Sequence, residues 1–312
     1  MGVSAVGSWL SLGEGATPLV PARRLGERLG VDLHLKCEGL NPTGSFKDRG
    51  MVVAVERAAG SGARAVVCAS TGNTAASAAA YAARAGLEAI VLTPAGATAT
   101  AKRAQARAAG ARLLEVRGTF DDALQLCRAL GERDGFVLVN SINPDRVEGQ
   151  KSVVGEIVEQ LGGAPDVVAL PYGGGGNVSA VAAGLADLGL SARIVIGEAA
   201  ERATTWATAI RISVPAHAEN VAALLAAGRV EVVTLTEDEL RGAWELLATE
   251  EGVFCEPASA AGVAALERTA DVSGATAVCI ITGHGLKDTE PVAAGGGEEI
   301  DATLEAVLKA IG

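Results

Sequence analysis

The sequence is poor in the residues that metal- and triad-based chemistry needs. It has three histidines and 3% aromatics, and it contains no H-E-x-x-H, C-x-x-C or G-x-S-x-G. Those absences exclude zincin, zinc-ribbon and α/β-hydrolase chemistry. The cysteines, Cys37, Cys68, Cys127, Cys255 and Cys279, are widely spaced and most lie in apolar runs. They read as small buried hydrophobes in a reducing compartment. Net charge is −11, yet no long block of like charges occurs, so no nucleic-acid footprint is expected. No apolar run reaches the roughly 20 residues of a membrane span. The N-terminus lacks a basic region followed by an apolar stretch, so no secretory signal is expected. The expectation is a cytoplasmic protein acting on a small molecule, with no nucleic-acid or membrane partner.

What is present is small and apolar. Of 312 residues, 40 are glycine and 49% are hydrophobic, with long alanine runs. That suits helices packed closely on sheets, and the length suits about two domains. β-Branched runs at 32–37, 65–69, 89–93, 112–116, 136–140, 167–170, 193–197, 231–236 and 276–281 predict strands. Helical patterns fall between them, at 46–59, 74–84, 98–109, 121–132, 147–161, 178–188, 237–250 and 259–269. Runs buried on both faces and alternating with helices predict mostly parallel sheets in an α/β fold. Thr236 with Glu239 reads as a capping box, and Thr119 with Asp122 as a second. Residues 293–297 read as a flexible joint before a final amphipathic helix at 302–311.

Four short segments carry the chemistry. Asn41-Pro42-Thr43-Gly44-Ser45-Phe46-Lys47-Asp48-Arg49 is a turn that delivers Lys47 to the mouth of a helix. Ser70-Thr71-Gly72-Asn73-Thr74 follows a strand and opens a helix, offering hydroxyls, an amide and N–H donors to an anionic ligand. Simple capping by Asn73 or Thr74 explains that segment equally well. Gly173-Gly174-Gly175-Gly176-Asn177 lies between a strand and a helix, where backbone N–H groups and the helix dipole receive an anion. Its spacing fits neither G-x-G-x-x-G nor Walker A, so a phosphate monoester fits better than a dinucleotide or ATP. Thr282-Gly283-His284-Gly285-Leu286-Lys287-Asp288 leaves a buried strand at its carboxyl end, where open α/β sheets place their sites. His34 and His217 sit in no motif and read as structural. With few histidines and no carboxylate pair, the general base is expected to be a lysine.

A lysine for a Schiff base, a phosphate loop, an amide for a phenolic oxygen and a group for a ring nitrogen together suit pyridoxal 5'-phosphate. In these segments, and in Cys255-Glu256-Pro257-Ala258-Ser259-Ala260-Ala261, the sequence resembles the threonine synthase family of fold-type II pyridoxal-phosphate enzymes. The similarity runs through most of the chain in one order, and the combination of segments is far more specific than any one of them.

The resemblance implies two open twisted sheets wrapped by helices, as in tryptophan synthase β, with the cofactor in the cleft between domains. It implies a discontinuous large domain, 1–45 and 145–312, and a small domain, 46–144, that closes on substrate. It makes Lys47 the Schiff-base lysine and the general base. Asn73 would meet the cofactor's 3-oxygen, Gly173, Gly174, Gly175, Gly176 and Asn177 its phosphate, and Thr282 its ring nitrogen. Ser70, Thr71 and Thr74 would bind the substrate's carboxylate or neighbouring groups, and Asn140, Ser141 and Arg146 its phosphate. A guanidinium at 146 also has its own rationale as a bidentate phosphate clamp. The implied reaction turns O-phospho-L-homoserine and water into L-threonine and phosphate, in a homodimer.

Two departures stand out. Gly174 occupies a position where the family commonly has asparagine, and residues 197–209 are shorter than the family pattern. They leave open a related β-replacement enzyme or a serine/threonine dehydratase, and, from another class, a non-catalytic ligand-binding homologue.

Overall fold

A computed structural model describes residues 8–96, 101–289 and 299–311. The joint expected at 293–297 and the start of the helix expected at 98 lie outside the described residues. In chain order the first elements are β1 (Leu19–Pro21), α1 (Arg23–Leu29), β2 (Asp32–Cys37), α2 (Lys47–Gly60), β3 (Ala65–Ala69), α3 (Asn73–Ala85) and β4 (Glu88–Pro94). Then come α4 (Ala101–Ala108), β5 (Arg112–Val116), α5 (Phe120–Gly131), β6 (Phe136–Leu138), α6 (Pro144–Gln150), α7 (Ser152–Leu161), β7 (Val167–Pro171) and α8 (Gly176–Asp187). The last are β8 (Arg193–Ala199), α9 (Ala218–Ala226), β9 (Val230–Leu235), α10 (Glu237–Glu251), α11 (Ala261–Glu267), β10 (Thr276–Ile281) and α12 (Leu304–Ala310).

Two sheets result. One has six strands in the order β1-β2-β10-β7-β8-β9, the other four in the order β5-β4-β3-β6. Apart from β1, which pairs antiparallel with β2, the pairings are parallel. β2 lies beside β10 in the register Leu35↔Cys279, so the two ends of the chain build one sheet around the four-stranded insertion. Apolar clusters cover both faces of each sheet, which is why β3, β7 and β10 are nearly continuous apolar runs.

The sequence missed β1, α1 and α9. β1 is a three-residue edge strand ending in proline, a residue tolerated only where no partner needs its N–H. The helix expected over 147–161 is two, α6 and α7, meeting at Lys151. The break follows a close crossing of α6 on α2. A Cβ on Gly50 would stand 2.3 Å from the Arg146 carbonyl oxygen, and one on Gly149 would stand 2.2 Å from that of Arg49. Both capping boxes form, at Thr119/Asp122 and Thr236/Glu239. The five cysteines are buried and unpaired. Among the described residues no helix is long and apolar enough to cross a membrane.

Candidate active site

Lys47 is the first residue of α2, and the turn before it is fastened from two sides. From the six-stranded sheet, the carbonyl after β10 at Thr282 accepts from Phe46 N–H (3.1 Å), and His284 N–H donates to the Gly44 carbonyl (3.0 Å). From within, the fully buried Asp48 carboxylate accepts from Thr43 N–H (2.7 Å), Thr43 Oγ1 (2.6 Å) and Ser77 Oγ (2.6 Å). The lysine and Thr282 motifs, more than 230 positions apart in the chain, are thus one piece of backbone. Burial of the amine, helped by the nearby Arg146 charge and opposed by Glu256, holds the Lys47 pKa down to about 7. A neutral amine near that pH is both nucleophile and base.

Behind Lys47 lies a closed ionic network. Arg49 donates to Glu38 through Nε (2.6 Å) and Nη2 (2.7 Å) and to Glu156 through Nη1 (2.6 Å) and Nη2 (2.7 Å). Lys36 Nζ adds Glu156 Oε2 and Gln160 Oε1, each at 2.8 Å. Two cations face two carboxylates, and the network ties α2 to β2 and α7. Burial would raise the Glu156 carboxyl, but Arg49 and Lys36 outweigh it and hold it at about 2.

In front of Lys47 the pairing is incomplete. Arg146 is 1% exposed, and its Nη1 donates to the Val139 carbonyl (2.8 Å), but its Nε and Nη2 have no hydrogen-bond partner among the described residues. Burial pulls its pKa down to about 10. Asn73 does not cap its helix, since Gly72 is the N-cap. Instead Asn73 Nδ2 donates to Glu256 Oε2 (2.7 Å), while its Oδ1 is buried and has no partner among the described residues. Glu256 also meets Lys102 Nζ at 2.7 Å, and Lys102 lies 3.5 Å from Asp288.

The glycine loop joins β7 to α8, with Gly175 at φ +84°. Among the described residues, the amides of Gly173, Gly174 and Gly175 find no acceptor. Asn177 Nδ2, buried at the start of α8, is likewise unpartnered. Thr282 Oγ1 lies 3.0 Å from Ser259 Oγ, both buried, and Ser259 Oγ accepts from Gly283 N–H (3.0 Å). Ser141 reaches the loop, its Cβ standing 3.6 Å from where a Cβ on Gly176 would be. Asn140 is engaged at both ends of its amide with the Ala69 backbone (2.9 Å each), as if continuing the sheet. Ser70 Oγ accepts from Gly72 N–H (3.1 Å), Thr71 is exposed and Thr74 half-buried. His284 accepts from Leu286 N–H through Nδ1 (3.1 Å), a structural bond.

The reading of the sequence missed Lys102, Glu256 and Asp288. Glu256 and Asp288 lay inside quoted motifs but looked like ordinary charged residues. Lys102 had no signal except its place in a surface-patterned helix, yet it is 4% exposed. Unbonded amides at a helix start, a buried amide on each side and a depressed lysine fit an aldehyde-bearing phosphate cofactor.

The chain matches the family model described as pyridoxal-phosphate dependent enzyme over residues 10–283, and it belongs to that family. It is 48% identical over 303 residues to the threonine synthase of Mycobacterium leprae, covering 90% of this chain and 84% of the relative. To that of Halalkalibacterium halodurans it is 46% identical over 299 residues, covering 89% and 84%. Among solved structures, maize serine racemase superimposes with TM-score 0.76 at 21% identity, covering 95% of this chain and 91% of that one, a likeness of fold.

Proposed function

We propose that this protein is a threonine synthase, converting O-phospho-L-homoserine and water to L-threonine and phosphate with pyridoxal phosphate as cofactor. The observation that carries the reading is the pairing of a depressed lysine with a buried, half-unpartnered guanidinium. Lys47, at about 7, feels the charge of Arg146, which keeps two nitrogens free for an anion. A base and a phosphate receptor side by side suit a substrate that carries a phosphate and must lose protons next to it.

The cofactor supplies an electron sink that lets protons leave the substrate carbons. Lys47 would hold it covalently and then move protons between adjacent substrate carbons, which one flexible amine on a fixed helix start can reach. The loop amides of Gly173–Gly176 with Asn177 would hold the cofactor's phosphate, Asn73 its phenolic oxygen and Thr282 its ring nitrogen. A hydroxyl there, itself bonded to Ser259, leaves that nitrogen without a counter-charge. Ser70, Thr71 and Thr74 would take the amino acid carboxylate. Arg146, with Asn140 and Ser141, would take the phosphate that leaves.

We take residues 46–144 as the small domain that closes on the remainder and keeps water out until the addition step. The cytoplasm as location and a homodimer belong to the same proposal. The test is phosphate release from O-phospho-L-homoserine by the purified, cofactor-loaded protein, with the amino acid product identified. Threonine in equal amount to phosphate is the expected result. A 2-oxo acid and ammonia from threonine or serine, without phosphate release, would make it a dehydratase instead.

A further inference from the structure

The glycine loop has a brace that lies outside every motif. His217 is the N-cap residue of α9, and its main-chain N–H donates to the carbonyl of Gly174 (3.0 Å). Its ring Nε2 lies 2.8 Å from the carbonyl oxygen of Ser141. A carbonyl only accepts, so Nε2 carries the proton and donates. One residue therefore bonds the loop with its backbone and the 141 turn with its side chain.

Packing makes the contact close. A Cβ on Gly175 would lie 3.0 Å from His217 Cβ, and one on Gly176 would lie 3.5 Å from His217 Nε2. The helix behind the histidine is fixed to α8 as well, since Asn220 Nδ2 donates to Ser179 Oγ (2.8 Å). On the loop's other side, the Arg202 guanidinium stacks on Tyr172 at 4.4 Å and donates to the Gly173 carbonyl at 3.3 Å. Glycines 173 to 176 have no side chains with which to hold themselves, and unbraced glycine is the costliest residue to order. A loop of unbonded amides receives an anion well only if its N–H vectors are fixed beforehand.

We infer that His217 is a positioning residue for phosphate binding: it orders the Gly173–Gly176 cradle and couples it, through Ser141, to the turn that leads into α6, the helix of Arg146. The inference rests on the pyridoxal-phosphate reading of this loop. It gives His217 no contact with the reacting atoms.

The test uses the apoprotein of the full chain and two probes, pyridoxal phosphate and pyridoxal, which lacks the phosphate. Binding is read by absorbance of the lysine adduct and by borohydride fixation on Lys47. The variants are His217→Phe, which keeps a ring without a donor, and His217→Gln, whose amide can reach the Ser141 carbonyl. His217→Phe should weaken pyridoxal phosphate by tenfold or more while leaving pyridoxal within about twofold, and His217→Gln should recover most of the loss. The melting temperatures of the apoproteins show whether each variant folds.

Equal weakening of both probes would reduce His217 to a general packing role and overturn the inference. So would unchanged affinity for pyridoxal phosphate in His217→Phe. If His217→Phe does not fold, His217→Asn, whose shorter amide stops short of the Ser141 carbonyl, takes its place: a loss confined to pyridoxal phosphate supports the brace, and unchanged affinity or a loss common to both probes refutes it. Failure of the wild-type protein to form an adduct with either probe would instead overturn the function proposed for the site.

Discussion

Two buried arginines, Arg49 on α2 and Arg146 on α6, lie where those helices cross. Arg49 is 2% exposed and Arg146 is 1% exposed, so desolvation presses on both. Arg49 meets two carboxylates with all three of its nitrogens, and its pKa is raised despite burial. Arg146 has one main-chain carbonyl and two idle nitrogens, and its pKa is lowered by burial. A fully paired buried charge serves the architecture, because removing either partner strands the other. A half-paired buried charge is a cost that folding alone does not explain, which is the ground for proposing that Arg146 receives an anion.

The comparison can be broken at several points. The largest effect is expected at Lys47, which feels the Arg146 charge. Lys47→Ala should lower phosphate release by about 10³-fold or more and abolish borohydride fixation, with the fold intact by circular dichroism. Arg49→Met should cost about 3–5 kcal/mol in denaturant unfolding, the penalty for leaving a buried carboxylate unpaired. If its stability matched wild type, the network behind Lys47 would have no structural role. Arg146→Met should do the reverse. It should change stability by no more than about 1 kcal/mol, since one bond to a carbonyl is lost while an uncompensated charge is removed. Its kcat/KM for phosphohomoserine should fall by roughly 10²-fold. A large loss of stability with normal turnover would exchange the roles of the two arginines.

Acid sharpens the contrast. The Glu156 carboxyl is held down from 4.5 to about 2, so the stability it contributes is fully present above 4.5 and is lost as pH falls through that window toward 2. Melting temperatures of wild type and Glu156→Gln should therefore converge on acidification. The smallest effect concerns loading. With Lys47 near 7, the rate of cofactor attachment to apoprotein should rise with pH up to about 7 and level off above, as the neutral amine fraction saturates. A profile still rising steeply at pH 9 would show an ordinary exposed lysine.

Much of the fold was legible because it is written in local pattern. β2, β3, β5 and β10 fall on the residues predicted for them. β3 and β10 were legible because a strand buried on both faces is apolar nearly throughout, whereas β5 is largely exposed at a sheet edge and was marked only by its short Leu-Leu-Glu-Val run. The edge strand β1 was not legible, because three residues ending in proline carry no such run. The helix expected over 147–161 split where Gly149 presses on the Arg49 carbonyl, a contact between distant segments. Of the proposed site, Lys47, Asn73 and the glycine loop stood out in the sequence because their turn and glycine chemistry is local. Lys102 and His217 did not. Lys102 sits in an alanine-rich helix with other basic residues, and only its burial against Glu256 sets it apart. His217 lies in an irregular stretch, and only the fold sets it over Gly175 and Gly176.

The sequence by itself determined the periods of the elements, the turns that end them and the kinds of group each loop offers, because backbone preference and burial pattern act over a few residues. Only the tertiary structure decided which of those groups are satisfied. Whether a buried guanidinium meets two carboxylates or a single carbonyl depends on what distant segments bring to it, and that is fixed by packing.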